Sequence, residues 1–289
     1  MSWFFLSLLA AFTLATSDAL TKKSFSDQSP YMMGLIRLGY TLPWMLISLL
    51  FIPLVVPDST FWLCMLAGLP LEALAFYCYM KAIKVSPLSL TVPFLAFTPG
   101  FIILTGWLIL GEKISTGGLW GIILIMAGAY SLNLSHTRYG LVGPLIAIFK
   151  EPGSRLMLLV SFIYAFTSTI GKLAIIHSNP YFFGIVYNVA LTTLMILFLP
   201  AVVNAGPRKN LLKKPVVGLI LGAIVAVEIF SHMLAVSLTN VAYMISLKRM
   251  SLLFGVVYGA LLFKEEKIME RLAGAIIMIT GVFLIGWFG

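Results

Sequence analysis

Seven charged side chains stand inside stretches of this chain that are otherwise fit for hydrocarbon: Asp18, Arg37, Glu72, Lys172, Glu228, Lys248 and Arg249. An ionised group at the centre of a membrane helix costs at least ~2.5–3.5 kcal/mol, so such residues face a wet cavity, pair with one another, or do both. Arg249 offers a planar fork suited to a carboxylate or phosphate, and Lys248 a compact point charge. Adjacent helical positions point about 100° apart. One of the two can therefore face a cavity while the other packs toward a carboxylate such as Glu228 or snorkels to the interface. Substrate anion binding, a structural ion pair and a surface position all stay open for this dipeptide. Glu228 and His232 lie one turn apart on one helical face, an arrangement that serves either a proton relay or a static hydrogen-bonded pair. The chain holds no HExxH, no Gly-x-Ser-x-Gly and no paired aspartates on facing helices, so nothing supplies an activated nucleophile or a metal-bound water. An enzyme is not expected, nor a cofactor or a metal site.

The elements that must hold these groups are membrane helices. Hydrophobic residues make up 61% of the chain and charged residues only 10%, with a mean hydropathy of +1.05, against about a quarter charged in ordinary soluble domains. Ten apolar stretches follow one another: Trp3 to Leu20, Tyr31 to Val55, Phe61 to Met80, Leu88 to Leu110, Gly117 to Leu134, Leu156 to Ile176, Tyr181 to Val203, Pro215 to Leu238, Val241 to Phe263 and Leu272 to Trp287. Each approximates the ~20 residues that cross ~30 Å of hydrocarbon as a helix, with the backbone satisfied internally. The first is read as a retained helix, because no basic residue precedes it and cleavage as a signal would delete one member of a repeat.

That repeat is the organising feature. Pro30-Tyr31-Met32-Met33-Gly34 returns as Pro180-Tyr181-Phe182-Phe183-Gly184, and Leu110-Gly111-Glu112 followed by Gly121 and Gly128 returns as Phe263-Lys264-Glu265 followed by Gly274 and Gly281. Five spans per copy is an odd number, so the second copy sits upside down. The fold expected is an all-α polytopic membrane protein with ten transmembrane helices in two inverted five-helix repeats, residues 1–134 and 156–289. A connection over 135–155 joins them, and its apolar run Gly140 to Phe149 suits an interfacial helix. Two inverted halves can rock to open one midplane site to either side.

Aligning the halves through Ala82 and Ala235 sets Tyr79 on His232 and Glu72 one turn from Glu228, a polar face from each third helix. Lys248-Arg249 falls on Leu95-Ala96, a break in symmetry that points to a ligand. Lys172 repeats Lys22, each eight residues before its proline, and the two are read as lateral gates or helix-end snorkels. Asp18 precedes Lys22 by one turn, which supports an i,i+4 pair. Arg37 has Tyr187 as counterpart and no partner nearby in sequence. Asp18, Lys22, Lys172 and Arg37 are thus the gate candidates. The substrate candidates are Lys248, Arg249, Glu228, His232, Glu72 and Tyr79.

The remaining sequence features concern orientation and packing. Of 19 Lys and Arg, 14 fall in odd-numbered connections and only Lys113 in an even one, which places the odd connections in the cytoplasm and both termini outside. The net charge of +9 is scattered over short loops and does not suit nucleic acid. Cys64 and Cys78 share one helix about 21 Å apart and cannot bridge. Gly255/Gly259 and the Gly121/Gly128 and Gly274/Gly281 series are expected to let helices approach closely. Pro43, Pro70, Pro93 and Pro99 are expected to bend helices, with the last two as a gating hinge.

The paired Gly111-Glu112 turn before Gly121/Gly128, and Glu265 before Gly274/Gly281, resemble the EamA-type branch of the drug/metabolite transporter superfamily over almost the whole chain. The resemblance implies a ten-helix exporter or exchanger in the plasma or inner membrane. Its cavity would be walled by helices one to four and six to nine, with five and ten peripheral. It also implies substrates such as amino acids, other small metabolites, nucleotide sugars or drugs. The reading taken forward is a secondary transporter of a small polar, anionic or zwitterionic metabolite, working by alternating access as a monomer or homodimer among membrane lipids. Its rival is a flippase for a lipid-linked or amphipathic anion.

Overall fold

The computed structural model describes residues 2–86, 91–131, 151–202, 214–263 and 272–289. Ten helices run through them: α1 (Ser2–Phe25), α2 (Pro30–Ser48), α3 (Ser59–Val85), α4 (Thr98–Leu110), α5 (Thr116–Ser131), α6 (Pro152–Ile176), α7 (Pro180–Val202), α8 (Pro215–Leu238), α9 in two segments (Val241–Lys248 and Ser251–Phe263) and α10 (Leu272–Phe288). Seven spans among the described residues, all but α4, α5 and α10, are long and apolar enough to cross a membrane. Those three are shorter apolar helices. Only 39% to 56% of each long span is buried inside the protein, so apolar side chains such as Phe51 and Trp287, more than 80% exposed, require lipid to cover them. The described residues form helices and no strand, and the protein is a multi-pass membrane protein.

The repeated Pro-Tyr motif has a local cause in both halves. Pro30 and Pro180 open α2 and α7 at the position where a missing N–H costs nothing. The residue before each acts as the cap: Ser29 Oγ accepts from Met32 N–H (3.3 Å) and Asn179 Oδ1 from Phe182 N–H (2.7 Å). α3 starts similarly, with Asp58 accepting from Phe61 N–H at 3.1 Å.

Helices four and nine depart from the continuous spans read in the sequence. A 3-10 turn over Val92–Phe97 leads into α4, and Pro99 sits in the first turn of the α-helix that follows, so this proline starts a regular segment instead of bending one. In α9 the α-helical ladder stops at Lys248. Met250 N–H returns to Leu247 O and Leu252 N–H to Arg249 O, both 2.9 Å, the tightened spacing of a 3-10 turn. The two irregular segments fall at matching places in the repeat. Pro43 and Pro70 lie inside α2 and α3.

The two halves interlock. α1 packs chiefly on α8 and on both segments of α9, while α3 packs on α6, and α6 also on α4 with its leading turn. α2 meets α7 and α8, and α5 pairs with α10. In that last pair the backbones touch: a Cβ on Gly128 would lie 2.7 Å from Gly274 O, and one on Gly281 2.6 Å from Gly121 O. The other expected glycine contact fails at Gly255, where an added Cβ would meet nothing within 4 Å. The apolar run Gly140 to Phe149, and Lys264 and Glu265, lie outside the described residues.

Candidate functional site

Buried charge gathers in the middle of the bundle. Arg37 of α2 donates from Nη1 to Asp18 Oδ1 (2.7 Å) and from Nη2 to Glu228 Oε2 (3.1 Å). Lys248 donates to the other Glu228 oxygen (2.9 Å) and to His232 Nδ1 (2.6 Å), and Tyr79 donates to Asp18. An ammonium has no acceptor, so His232 receives through Nδ1 and carries its proton on Nε2. Asp18, Arg37, Tyr79, Glu228 and Lys248 are all under 9% exposed. Five helices, α1, α2, α3, α8 and α9, thereby share one ionic chain in which two acids balance two bases.

This arrangement answers several of the sequence expectations. Asp18 does not pair with Lys22 one turn away. It turns to Arg37 and Tyr79, because those groups come together on the inner faces of α1, α2 and α3. Arg37, with no partner nearby in sequence, has two in space. Glu228 and His232 are not bonded to each other. The Lys248 ammonium stands between them and bonds to both.

Around this chain lies a cavity of about 190 Å³, roomy enough for several water molecules. Its wall includes Leu14 of α1, Leu38 of α2, Phe76 of α3, Leu95 before α4, Thr167 of α6, Tyr187 of α7, Val236 of α8 and Ile245 of α9. No residue of α5 or α10 lines it, the division that the family resemblance implies. Arg249 is set apart from the other cations. It lines the cavity at 4% exposure, its Nε has no hydrogen-bond partner, and among the described residues it makes no ion pair. The break after Lys248 is what lets two adjacent basic residues both reach the interior, one onto Glu228 and one into open space.

At the edge of this cavity, whose wall includes Lys172, Lys172 donates to Glu112 Oε1 (2.5 Å) and to Thr239 O (2.7 Å), and Glu112 Oε2 accepts from Val241 N–H (3.0 Å). The Gly111-Glu112 motif explains itself here. Gly111 takes φ of +67° to end α4, a left-handed turn that glycine adopts without strain, and the reversal aims Glu112 at α6 and the α8–α9 junction. Lys22 makes the corresponding bond in the first half, donating to Ser86 O at 3.1 Å. At the start of α3, the Phe61 N–H and then His177, whose Nδ1 is 2.6 Å from the carboxylate, hold Asp58 below the usual carboxylate range.

Sequence reasoning missed Glu112 as a side chain with a partner, and also Tyr164, Thr167 and Asn188 of the cavity wall. Asn188 was discoverable, being an amide within the apolar stretch of α7. The structure gives it 4% exposure and an Oδ1 without a partner.

No curated protein matches the chain. A solved structure, titled only as the crystal structure of a protein, superposes with a TM-score of 0.72 over 99% of this chain and 96% of its own, at 14% sequence identity; that likeness concerns the fold alone. Residues 1–134 match the model of the EamA-like transporter family. Buried charge around a central cavity in a polytopic helical bundle is what a transporter needs, and the match places residues 1–134 of the chain in the EamA-like transporter family.

Proposed function

We propose that the protein is a secondary transporter that carries a small polar metabolite with an anionic group through the central cavity by alternating access. The observation that carries this reading is Arg249, a buried guanidinium facing the cavity without a counter-ion among the described residues. A cation left unpaired in a low-dielectric interior is costly, and a carboxylate or phosphate arriving from solution relieves that cost through two parallel hydrogen bonds. The irregular backbone at α4 and α9 beside the cavity agrees with this, since unwound segments of membrane helices are tolerated where they line a site.

Alternating access rests on the inverted repeat. Several features support it: the capped prolines of α2 and α7, the reciprocal pairing of α1 with α8 and α6 with α3, and the two lysine bonds. Lys22 to Ser86 O and Lys172 to Thr239 O join matching residues of the two halves, and in an inverted repeat they lie at opposite faces of the membrane. We assign them as the two gates, with the basic, odd-numbered connections and the Lys22 gate on the cytoplasmic side.

The test is a thermal-shift screen of organic acids, amino acids and phosphorylated sugars on detergent-solubilised protein, followed by liposome uptake. A ligand should stabilise the wild type and leave Arg249→Gln unshifted. Equal stabilisation of both would remove the anion site. Stabilisation by phospholipid or polyprenyl phosphate headgroups alone would replace the metabolite with a flipped lipid.

A further inference from the structure

Arg249 is placed by its backbone. Glu72 of α3 lines the same cavity, but no ion pair among the described residues joins it or any other acid to Arg249, so the guanidinium sits where the chain leading to it is held. That chain is the first segment of α9, Val241–Lys248, eight residues that are all buried. Thr239 and Asn240 separate it from α8, and the 3-10 turn at Arg249 ends it. Two turns of helix do not hold their shape unaided, and Asn240, in the cap position, gives the first turn no side-chain bond.

The hold comes from the first half, through the connection between α4 and α5. Glu112 Oε2 accepts from Val241 N–H (3.0 Å), Lys113 O accepts from the Asn240 amide (3.1 Å), and Ser115 N–H donates to Tyr243 Oη (2.8 Å), which also bonds Ser115 Oγ (3.2 Å). The other Glu112 oxygen takes the Lys172 ammonium of the outer gate. At the far end Lys248 is fixed on Glu228 and His232. The segment is thus a rod about 12 Å long, at roughly 1.5 Å per residue, with the gate at its near tip and Arg249 just past its far tip.

We infer that Glu112 is a positioning residue for transport: by gripping the near tip of this rod it sets Arg249 against the anion, and its second oxygen joins that grip to the outer gate. The proposal rests on the anion site assigned above. Linkage is reciprocal, so an anion on Arg249 tightens the clasp, and parting of the clasp loosens the anion. Opening of the outer gate therefore frees the ligand in the same movement that gives it a way out.

The experiment follows backbone hydrogen exchange of the full-length protein in detergent at the near tip (residues 240–244), at the far tip (residues 247–253) and, for reference, in α7 (residues 185–195). Glu112→Ala should raise exchange about tenfold or more at both tips, the factor that loss of one hydrogen bond to a charged group allows. Glu112→Gln keeps an oxygen for Val241 N–H and should loosen the far tip less. Because Glu112→Ala also strands Lys172, the second variant is Tyr243→Phe, which spares the ion pair and should likewise loosen both tips. The reference should exchange at the wild-type rate in all three. The probes are inorganic phosphate and the organic acids and phosphorylated sugars of the screen above. At least one should slow both tips of the wild type, only the far tip of Glu112→Ala, and neither tip of Arg249→Gln. If Glu112→Ala and Tyr243→Phe free the near tip alone, or if the reference rises with the tips, the coupling is overturned, and the anion site stands wherever a probe slows the far tip through Arg249. If both tips loosen together and no anion of the set slows either, the anion site falls while the mechanical link remains.

Discussion

Replacing Glu228 with Gln tests the central ionic chain most severely. The amide keeps the shape of the side chain but removes the charge shared by Lys248 at 2.9 Å and Arg37 at 3.1 Å. Arg37 retains Asp18 at 2.7 Å. Lys248 is left with an imidazole nitrogen, which carries no opposing charge, and at 8% exposure it stays largely shielded from bulk water. Removing one partner of a buried pair costs about 3–5 kcal/mol, and at roughly 2–4 °C per kcal/mol for a large chain the melting temperature should fall on the order of 10 °C. Thermal unfolding in detergent, followed by the fluorescence of the six tryptophans, reads this directly. The informative comparison is the double variant Glu228→Gln, Lys248→Met. It removes the stranded ammonium, so most of the loss should return, with a coupling well above the error of independent sites. The reasoning is refuted if Glu228→Gln melts within about 2 °C of the wild type, less than the smallest shift the estimate allows, or if the double variant melts lower than the single.

Other expectations follow from the same geometry. Lys172→Met should leave ligand-induced stabilisation in place while cutting liposome uptake, because the lysine ties α6 to Glu112 and Thr239 and takes no part in the Arg249 site; equal loss of binding and uptake would place Lys172 in the site instead. Gly128→Leu should destabilise the α5–α10 pair by overpacking, roughly 1–3 kcal/mol or more, whereas Gly255→Leu, which meets open space, should melt like the wild type. For Asp58 the folded carboxyl titrates lower than the unfolded one, chiefly through the Phe61 N–H and then His177. The capped state is therefore favoured above the usual carboxylate range near 3.8 and that advantage is lost as pH falls through the folded value. Melting curves of Asp58→Asn should lack this part of the acid-side decline, and an unchanged decline would contradict it.

Much of this was legible in the sequence because membrane helices write their inner faces in polar residues. The repeated prolines marked helix starts in both halves, and Glu228, Lys248 and Arg249 stood out as charges without hydrocarbon-compatible company. What the sequence did not reveal was who pairs with whom. Asp18 had a lysine one turn away on its own helix, and local spacing favoured that partner. The contact it makes with Arg37 depends on how α1 and α2 are rotated toward each other, which tertiary packing decides. The 3-10 turn at Arg249 was hidden for a related reason, since no proline or glycine announces it among Lys248, Arg249, Met250 and Ser251. Gly255 misled in the opposite direction, because a small residue permits a close approach without requiring one.

The distribution of ion pairs between the halves bears on how the chain is made. Asp18 and Arg37 find each other within the first five spans, and Glu228 and Lys248 within the second. Each half can thus leave the insertion machinery with its central charges already paired, while the bonds from Arg37 to Glu228, from Lys172 to Glu112 and from His177 to Asp58 wait for the halves to dock. A chain severed between residues 134 and 156 should on these grounds still integrate as two fragments and reassemble in the bilayer.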